Sequence, residues 1–160
     1  MEAALRPRVV QRDEAPEYSF FGRRTWFKAT GEETGGAYGL IEQLIAPGDA
    51  TTWHIHHAED ESFYVVAGTI TVRIGEERFT VGPGGYAFGP RGIPHGFRNT
   101  GGTPVRVLLL ATPAGFFERF VRALAVPVEP GAPHPAAPDL GRLVAVAAEH
   151  RIEILGPFPE

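Results

Sequence analysis

His54 and His56 stand two residues apart, and Glu61 follows five residues later. In an extended strand the side chains at i and i+2 leave the same face, so the two imidazoles aim at one point. A turn over residues 57–60 returns Glu61 to that point from the neighbouring strand, and a second stretch, residues 84–99, supplies His95. Three imidazoles and a carboxylate form a mixed nitrogen and oxygen donor set. It suits one divalent transition metal, whether Fe, Mn, Co, Ni, Cu or Zn, and a six-coordinate ion held this way keeps open positions for substrate. The chain has six histidines, so spacing and not number singles these out. His57 alternates away from His56. His134 lies among prolines and His150 at a helix end, where structural or solvent roles are expected.

The elements that must position these groups are short strands. Residues 18–29 are aromatic and β-prone and read as one or two strands, residues 30–36 as a loop, and residues 38–46 as a strand closed by Pro47-Gly48. Strands then follow at 51–56, 61–67, 69–74, 77–81, 86–89, 96–99 and 105–112, separated by Gly and Pro turns. Many short strands with such punctuation predict a sandwich or barrel. After Pro113 the apolar period becomes helical: Phe116, Phe117, Phe120, Val121 and Leu124 predict a helix over 114–125 that covers the barrel. Residues 126–138 read as a proline-rich linker, Asp139 as the N-cap of a helix over 140–150 with Leu143, Val144 and Ala147 inward, and residues 152–155 as a strand or tail contact. The expected division is a flexible N-terminal arm (1–16), a β-barrel with the metal site (17–113) and a C-terminal helical segment (114–160).

Composition narrows the function classes. At 160 residues one domain is expected, able to bury about 70% of its unfolded surface. The net charge of −4 gives no reason to expect nucleic acid or anionic lipid as partners. There is no cysteine, which removes disulfides, thiolate nucleophiles and cysteine-bound metal. No apolar run reaches bilayer-spanning length and residues 1–16 lack a signal-like apolar core, so no membrane association is expected and the expected location is the cytoplasm.

Gly48-x5-His54-x-His56-x4-Glu61-x6-Gly68 and Gly84-x5-Pro90-x-Gly92-x2-His95-x3-Asn99 match, position by position, the two motifs of the cupin family. The resemblance implies an all-β fold, the cupin double-stranded β-helix or jelly-roll barrel with C-terminal helices, with His54, His56, Glu61 and His95 as metal ligands. Alternation then turns Phe63, Val65, Phe97 and Thr52 inward with the ligands, as a substrate pocket polar at the metal and apolar around it. Further stretches, among them Asp60-Glu61-Ser62-Phe63-Tyr64 and Ile152-Glu153-Ile154-Leu155-Gly156-Pro157, are similar to bacterial quercetinase-like monocupins. That resemblance implies a metal-dependent dioxygenase that opens the ring of a flavonol-like enol or phenol with O2, with Glu61 taking the hydroxyl proton. The role asks for a carboxyl of raised pKa, which an apolar barrel would favour. Two alternatives stand beside it: an O2-independent metal-dependent isomerase, cyclase or decarboxylase, and a non-catalytic metal or small-molecule binding module. The resemblance also implies a homodimer, for which exposed barrel edges give a physical reason. Trp53 and Ile55, facing away from the site, are expected to serve an interface, and Arg91, in its Pro-Arg-Gly turn, either to brace that turn or to touch ligand.

Overall fold

A computed structural model describes residues 5–12, 14–129, 131–135 and 139–160. Its twelve strands are β1 (Glu17–Phe20), β2 (Arg23–Ala29), β3 (Gly39–Ile45), β4 (Trp53–His56), β5 (Asp60–Ala67), β6 (Ile70–Ile74), β7 (Glu77–Val81), β8 (Tyr86–Gly89), β9 (His95–Arg98), β10 (Val105–Thr112), β11 (Val126–Pro127) and β12 (Ile152–Gly156), with helices α1 (Phe116–Leu124) and α2 (Leu140–Glu149). Seven strands form one antiparallel sheet, in the order β11-β1-β2-β3-β10-β5-β8. Five form the other, β12-β4-β9-β6-β7. The chain passes back and forth between the sheets, as the expected jelly roll requires.

Strand β10 organises the first sheet. Its residues alternate buried and half-buried along the whole length, the period-2 signature of a strand with one face in the core. Its register with β3 and β5 lays the inward side chains in rows: Gly39, Ala111 and Glu61; then Ile41, Leu109 and Phe63; then Gln43, Val107 and Val65. Phe63, Val65, Val107 and Ile41 are almost wholly buried, so the core lies between the sheets, at the end of the rows away from Glu61. On the opposite face, Glu42 is covered by Lys28 and Arg106, both ion-paired to it.

The C-terminal segment closes the barrel. Phe117, Phe120, Val121 and Leu124 are the buried stripe of α1, and Phe120 meets Phe20 edge to face with centroids 5.7 Å apart. Phe116 is only half-buried, beneath the guanidinium groups of Arg119 and Arg151. Asp139 caps α2 by accepting the Arg142 N–H at 2.9 Å. On α2, Leu143 and Ala147 are buried, but Val144 is 44% exposed, because Val146 and not Val144 turns toward the barrel. Two parts of the expected linker and tail join the sheets: Val126 and Pro127 pair with β1, and β12 pairs with β4. Residues 130 and 136–138 of the expected linker, and residues 1–4 and 13 of the expected arm, lie outside the described residues. At the other terminus, Arg8 pairs with Glu33 at 2.5 Å and Leu5 packs on Gly35, which lays the arm against the chain's own loop. Among the described residues no helix is long and apolar enough to cross a membrane.

Candidate metal centre

His54 and His56 project from β4, His95 opens β9 directly opposite His54, and Glu61 reaches across from β5 of the other sheet. All three imidazoles turn Nε2 to the same carboxylate oxygen. Glu61 Oε2 lies 3.0 Å from His95, 3.4 Å from His56 and 3.7 Å from His54. The four donor atoms fall within 4.8 Å of one another. Ligand bonds of about 2.0–2.2 Å to a shared first-row ion require donors within about 4.4 Å, so a contraction of a few tenths of an ångström closes the set.

Hydrogen bonds fix the ring faces. His54 Nδ1 donates to Thr52 O at 2.7 Å and His95 Nδ1 to Ile93 O at 2.9 Å. That tautomer leaves an Nε2 lone pair facing the centre, the usual arrangement behind a metal-binding imidazole. His56 Nδ1 is buried with no partner among the described residues. Burial lowers the His56 pKa, against the opposing pull of Glu61. Burial alone would raise the Glu61 carboxyl, but its contacts with His56, His54 and His95 hold it well below the usual carboxylate range. A carboxylate beside imidazoles that present Nε2 lone pairs is a ligating set. The raised Glu61 expected from an apolar barrel is not found, because the histidines outweigh the apolar surroundings.

The turns make this convergence available. Gly48 has φ +80°, its N–H donates to Asn99 O, and Asn99 N–H donates back to Asp49 O, which ties the two motif stretches together. Asn99 Nδ2 also holds Ile45 O and Thr103 O. Gly89 lies opposite Glu61, and a Cβ there would stand 3.0 Å from His95 Nδ1. Arg91 donates to both carboxylate oxygens of Asp60 and to Thr112 O, bracing the start of β5 beside Glu61. His57 is exposed and paired with Glu153, His134 bonds Glu17, and His150 bonds Val146 O. Trp53 and Ile55 face away from the cluster, and Arg73 stacks over Trp53.

A cavity of about 110 Å³ opens onto His54, His56 and Glu61. Thr52 and Phe97 line it, whereas Phe63 and Val65 do not: Phe63 lies behind His95, with ring centroids 5.8 Å apart, and Val65 is in the core. Phe117, Leu143 and Ile152 form wall that the sequence did not reveal, since they come from the C-terminal segment and their approach depends on tertiary packing. Arg23 and Gln43 line the cavity too. Glu59 is a further buried group: its Oε1 accepts the Phe117 N–H, its Oε2 has no partner among the described residues, and burial pushes its pKa up to about 8. It thereby holds the first turn of α1, and Phe117 lies against His56 with centroids 5.5 Å apart.

Comparison with known proteins agrees with this geometry. Residues 41–111 match the family model described as "Cupin domain". The tetracenomycin polyketide synthase protein TcmJ of Streptomyces glaucescens is 34% identical over 80 residues, 50% of this chain and 52% of that protein. Quercetin 2,3-dioxygenase of Bacillus subtilis is 28% identical over 92 residues, 58% of this chain and 27% of that protein. In both the match spans little more than half of the relative's length, or less. A solved structure from Thermotoga maritima, described as a predicted oxalate decarboxylase, shares the fold with a TM-score of 0.60 at 22% identity, covering 66% of this chain and 99% of that one. Two complete motifs, a jelly roll that converges them on one point, and the family match identify residues 41–111 as a cupin domain.

Proposed function

We propose that this protein holds one divalent transition metal with His54, His56, Glu61 and His95 and is a dioxygenase of a flat, mostly apolar enol or phenol, flavonol-like in its reacting part. The observation that carries this reading is the cavity itself: it opens onto His54, His56 and Glu61 of the four-residue donor set, and most of its remaining wall is aromatic and aliphatic. The bound ion would supply Lewis acidity, which makes an enol or phenol hydroxyl more acidic. Glu61 Oε2 is the oxygen nearest the three histidines, which leaves Oε1 as the oxygen to take a substrate proton; because the histidines hold this carboxyl low, the transfer relies on the ion making the hydroxyl more acidic. Phe97 and Phe117 hold the ring and keep water from it. O2 then adds both of its atoms to the ring that opens. A cavity of about 110 Å³ is smaller than the roughly 300–1,000 Å³ that encloses drug-sized ligands, so a three-ring flavonol requires the side chains around it to yield.

A second reading, metal-dependent cyclisation or isomerisation without O2, draws support from the higher identity to the polyketide synthase protein. The two separate in one experiment. Metal-stripped protein is reloaded with Fe, Mn, Co or Ni, and oxygen uptake is followed with 3-hydroxyflavone. The dioxygenase reading expects substrate-dependent uptake that disappears in His54→Ala. No uptake with any metal shown to be bound refutes it, and product formed under anaerobic conditions selects the second reading. Tight binding with no turnover in either atmosphere selects a binding module.

The same reading includes a homodimer. Tyr64, Tyr86 and Phe88 are exposed together on the outer face of β5 and the edge strand β8, where Tyr64 and Tyr86 are cross-strand neighbours. Aromatic cover on a free sheet edge favours pairing with a second copy. Sedimentation at micromolar concentration that shows only monomer refutes this part.

A further inference from the structure

The cavity has a second polar end that the metal chemistry does not use. Arg23 and Gln43 line it, and both are more than nine-tenths buried. Each is fixed. Arg23 spends Nε and Nη2 on Asp49, and Nη2 also reaches Ala50 O. Gln43 spends Nε2 on Thr25 Oγ1 at 3.2 Å. Arg23 Nη1 and Gln43 Oε1 take no part in these bonds, and neither belongs to the buried polar atoms sealed away without a partner. In residues this deeply covered, the space these atoms reach is the cavity that both residues line.

The two ends are separated along the sheet. Glu61 sits in the row of Ala111 and Gln43 in the row of Val107, four residues along β10. At a rise of roughly 3.3 Å per residue this is about 13 Å, with the apolar Leu109 row between. The cavity therefore offers oxygen chemistry at one end, an apolar span, and a fixed N–H donor with a fixed carbonyl acceptor at the other. A donor and an acceptor at one end of a cavity match a hydroxyl, which accepts one bond and donates one. They do not match a carboxylate. Gln43 Oε1 would face it with no proton to accept, and Asp49 already neutralises the guanidinium.

We propose that Arg23 and Gln43 form a distal hydroxyl subsite, and that the substrate is a flat phenolic molecule carrying a second hydroxyl remote from the oxygen held at the metal. This rests on the reading that the enol or phenol end binds at the histidine cluster. Arg23 and Gln43 set specificity and do not touch the reacting atoms.

The test is binding, not turnover. The metal-loaded protein is titrated with unsubstituted 3-hydroxyflavone and with derivatives bearing a hydroxyl, a methyl or a carboxylate at 3′ or 4′. A hydroxyl and a methyl are close in size, so their difference reads the polar contacts. A hydrogen bond to a charged donor makes the better-placed hydroxyl derivative bind about tenfold tighter than its methyl counterpart. Arg23→Met brings that preference to within about twofold while affinity for the unsubstituted compound is retained. Arg23 also tethers the Asp49 turn, so Gln43→Leu provides a second variant, expected to reduce the preference. The wild-type comparison needs no variant at all. Equal binding of hydroxyl and methyl derivatives in the wild type overturns the subsite and leaves the proposed function standing. Tightest binding of a carboxylate overturns the hydroxyl assignment. If not even unsubstituted 3-hydroxyflavone binds, the proposed function fails and the subsite falls with it.

Discussion

Gly89→Ala tests whether the position of His95 sets metal affinity. Gly89 is a strand residue with an ordinary backbone, so the methyl group adds no conformational strain. Its effect is contact. The new Cβ would stand 3.0 Å from His95 Nδ1, 3.1 Å from Cγ and 3.2 Å from Cε1, against ordinary van der Waals contact at 3.4–4 Å. The ring must yield by a few tenths of an ångström. It is held from behind by its Nδ1 bond to Ile93 O, so it can yield only by tilting toward the other ligands or by losing that bond. Metal–ligand distances tolerate about ±0.2 Å, and loss of a bond that orients a ligating histidine costs about 10–100-fold in metal affinity. The expected loss is thus about 10–100-fold, or about 1.4–2.7 kcal/mol. Competition of a chelator against the metal-loaded protein measures it directly. Gly102→Ala, at a loop position with open space around its Cβ, serves as the control and should leave affinity unchanged. Wild-type metal affinity in Gly89→Ala, with the fold intact by circular dichroism, would refute the reasoning.

Three further outcomes are expected. Glu61→Gln retains measurable metal through the three imidazoles but loses turnover; unchanged turnover removes Glu61 as proton acceptor. Asn99→Ala strips partners from Ile45 O, Thr103 O and Gly101 N around a fully buried side chain, and urea unfolding should show a loss of roughly 2–4 kcal/mol. Glu42 feels burial, which raises its pKa, but bonds from Lys28 and Arg106 prevail and hold it below the ordinary value of 4.5. A depressed carboxyl gives stability that is present above the unfolded value and lost as pH falls through the folded one. Acid unfolding should therefore begin to draw on Glu42 below about pH 4.5, and Glu42→Gln should be less stable by roughly 2 kcal/mol at neutral pH with a flatter acid limb.

The parts of the molecule legible in the sequence are those set by local chemistry. The i, i+2 spacing of His54 and His56, the turn glycines and the alternation in β10 fix strands and turns within a few residues. Asp139 declares a helix start because its side chain caps the next turn. What the sequence conceals depends on which surfaces meet. Leu143 and Phe117 look like any helical stripe until α1 and α2 pack against the cavity, and the same pattern points Val144 inward where the structure leaves it exposed. The strand over 152–156 is recognisable, but not its pairing with the histidine strand. Gln43 and Arg23 are hidden for another reason: one of two adjacent polar residues in the otherwise apolar β3, or one arginine of the pair beginning β2, carries no signal until the barrel closes around it. Glu59 lies two residues from a ligand and carries no signal of its own, because its burial is produced by α1, far along the chain.

The most direct test of the metal centre is metal content after equilibrium dialysis of stripped protein against Fe, Mn, Co or Ni, with wild type beside His54→Ala and His95→Ala. The four-residue centre predicts one ion per chain for at least one metal in the wild type and loss of that ion in both variants at the same free metal concentration. An absence of bound ion with every metal, or one ion per chain retained in both variants, would contradict it.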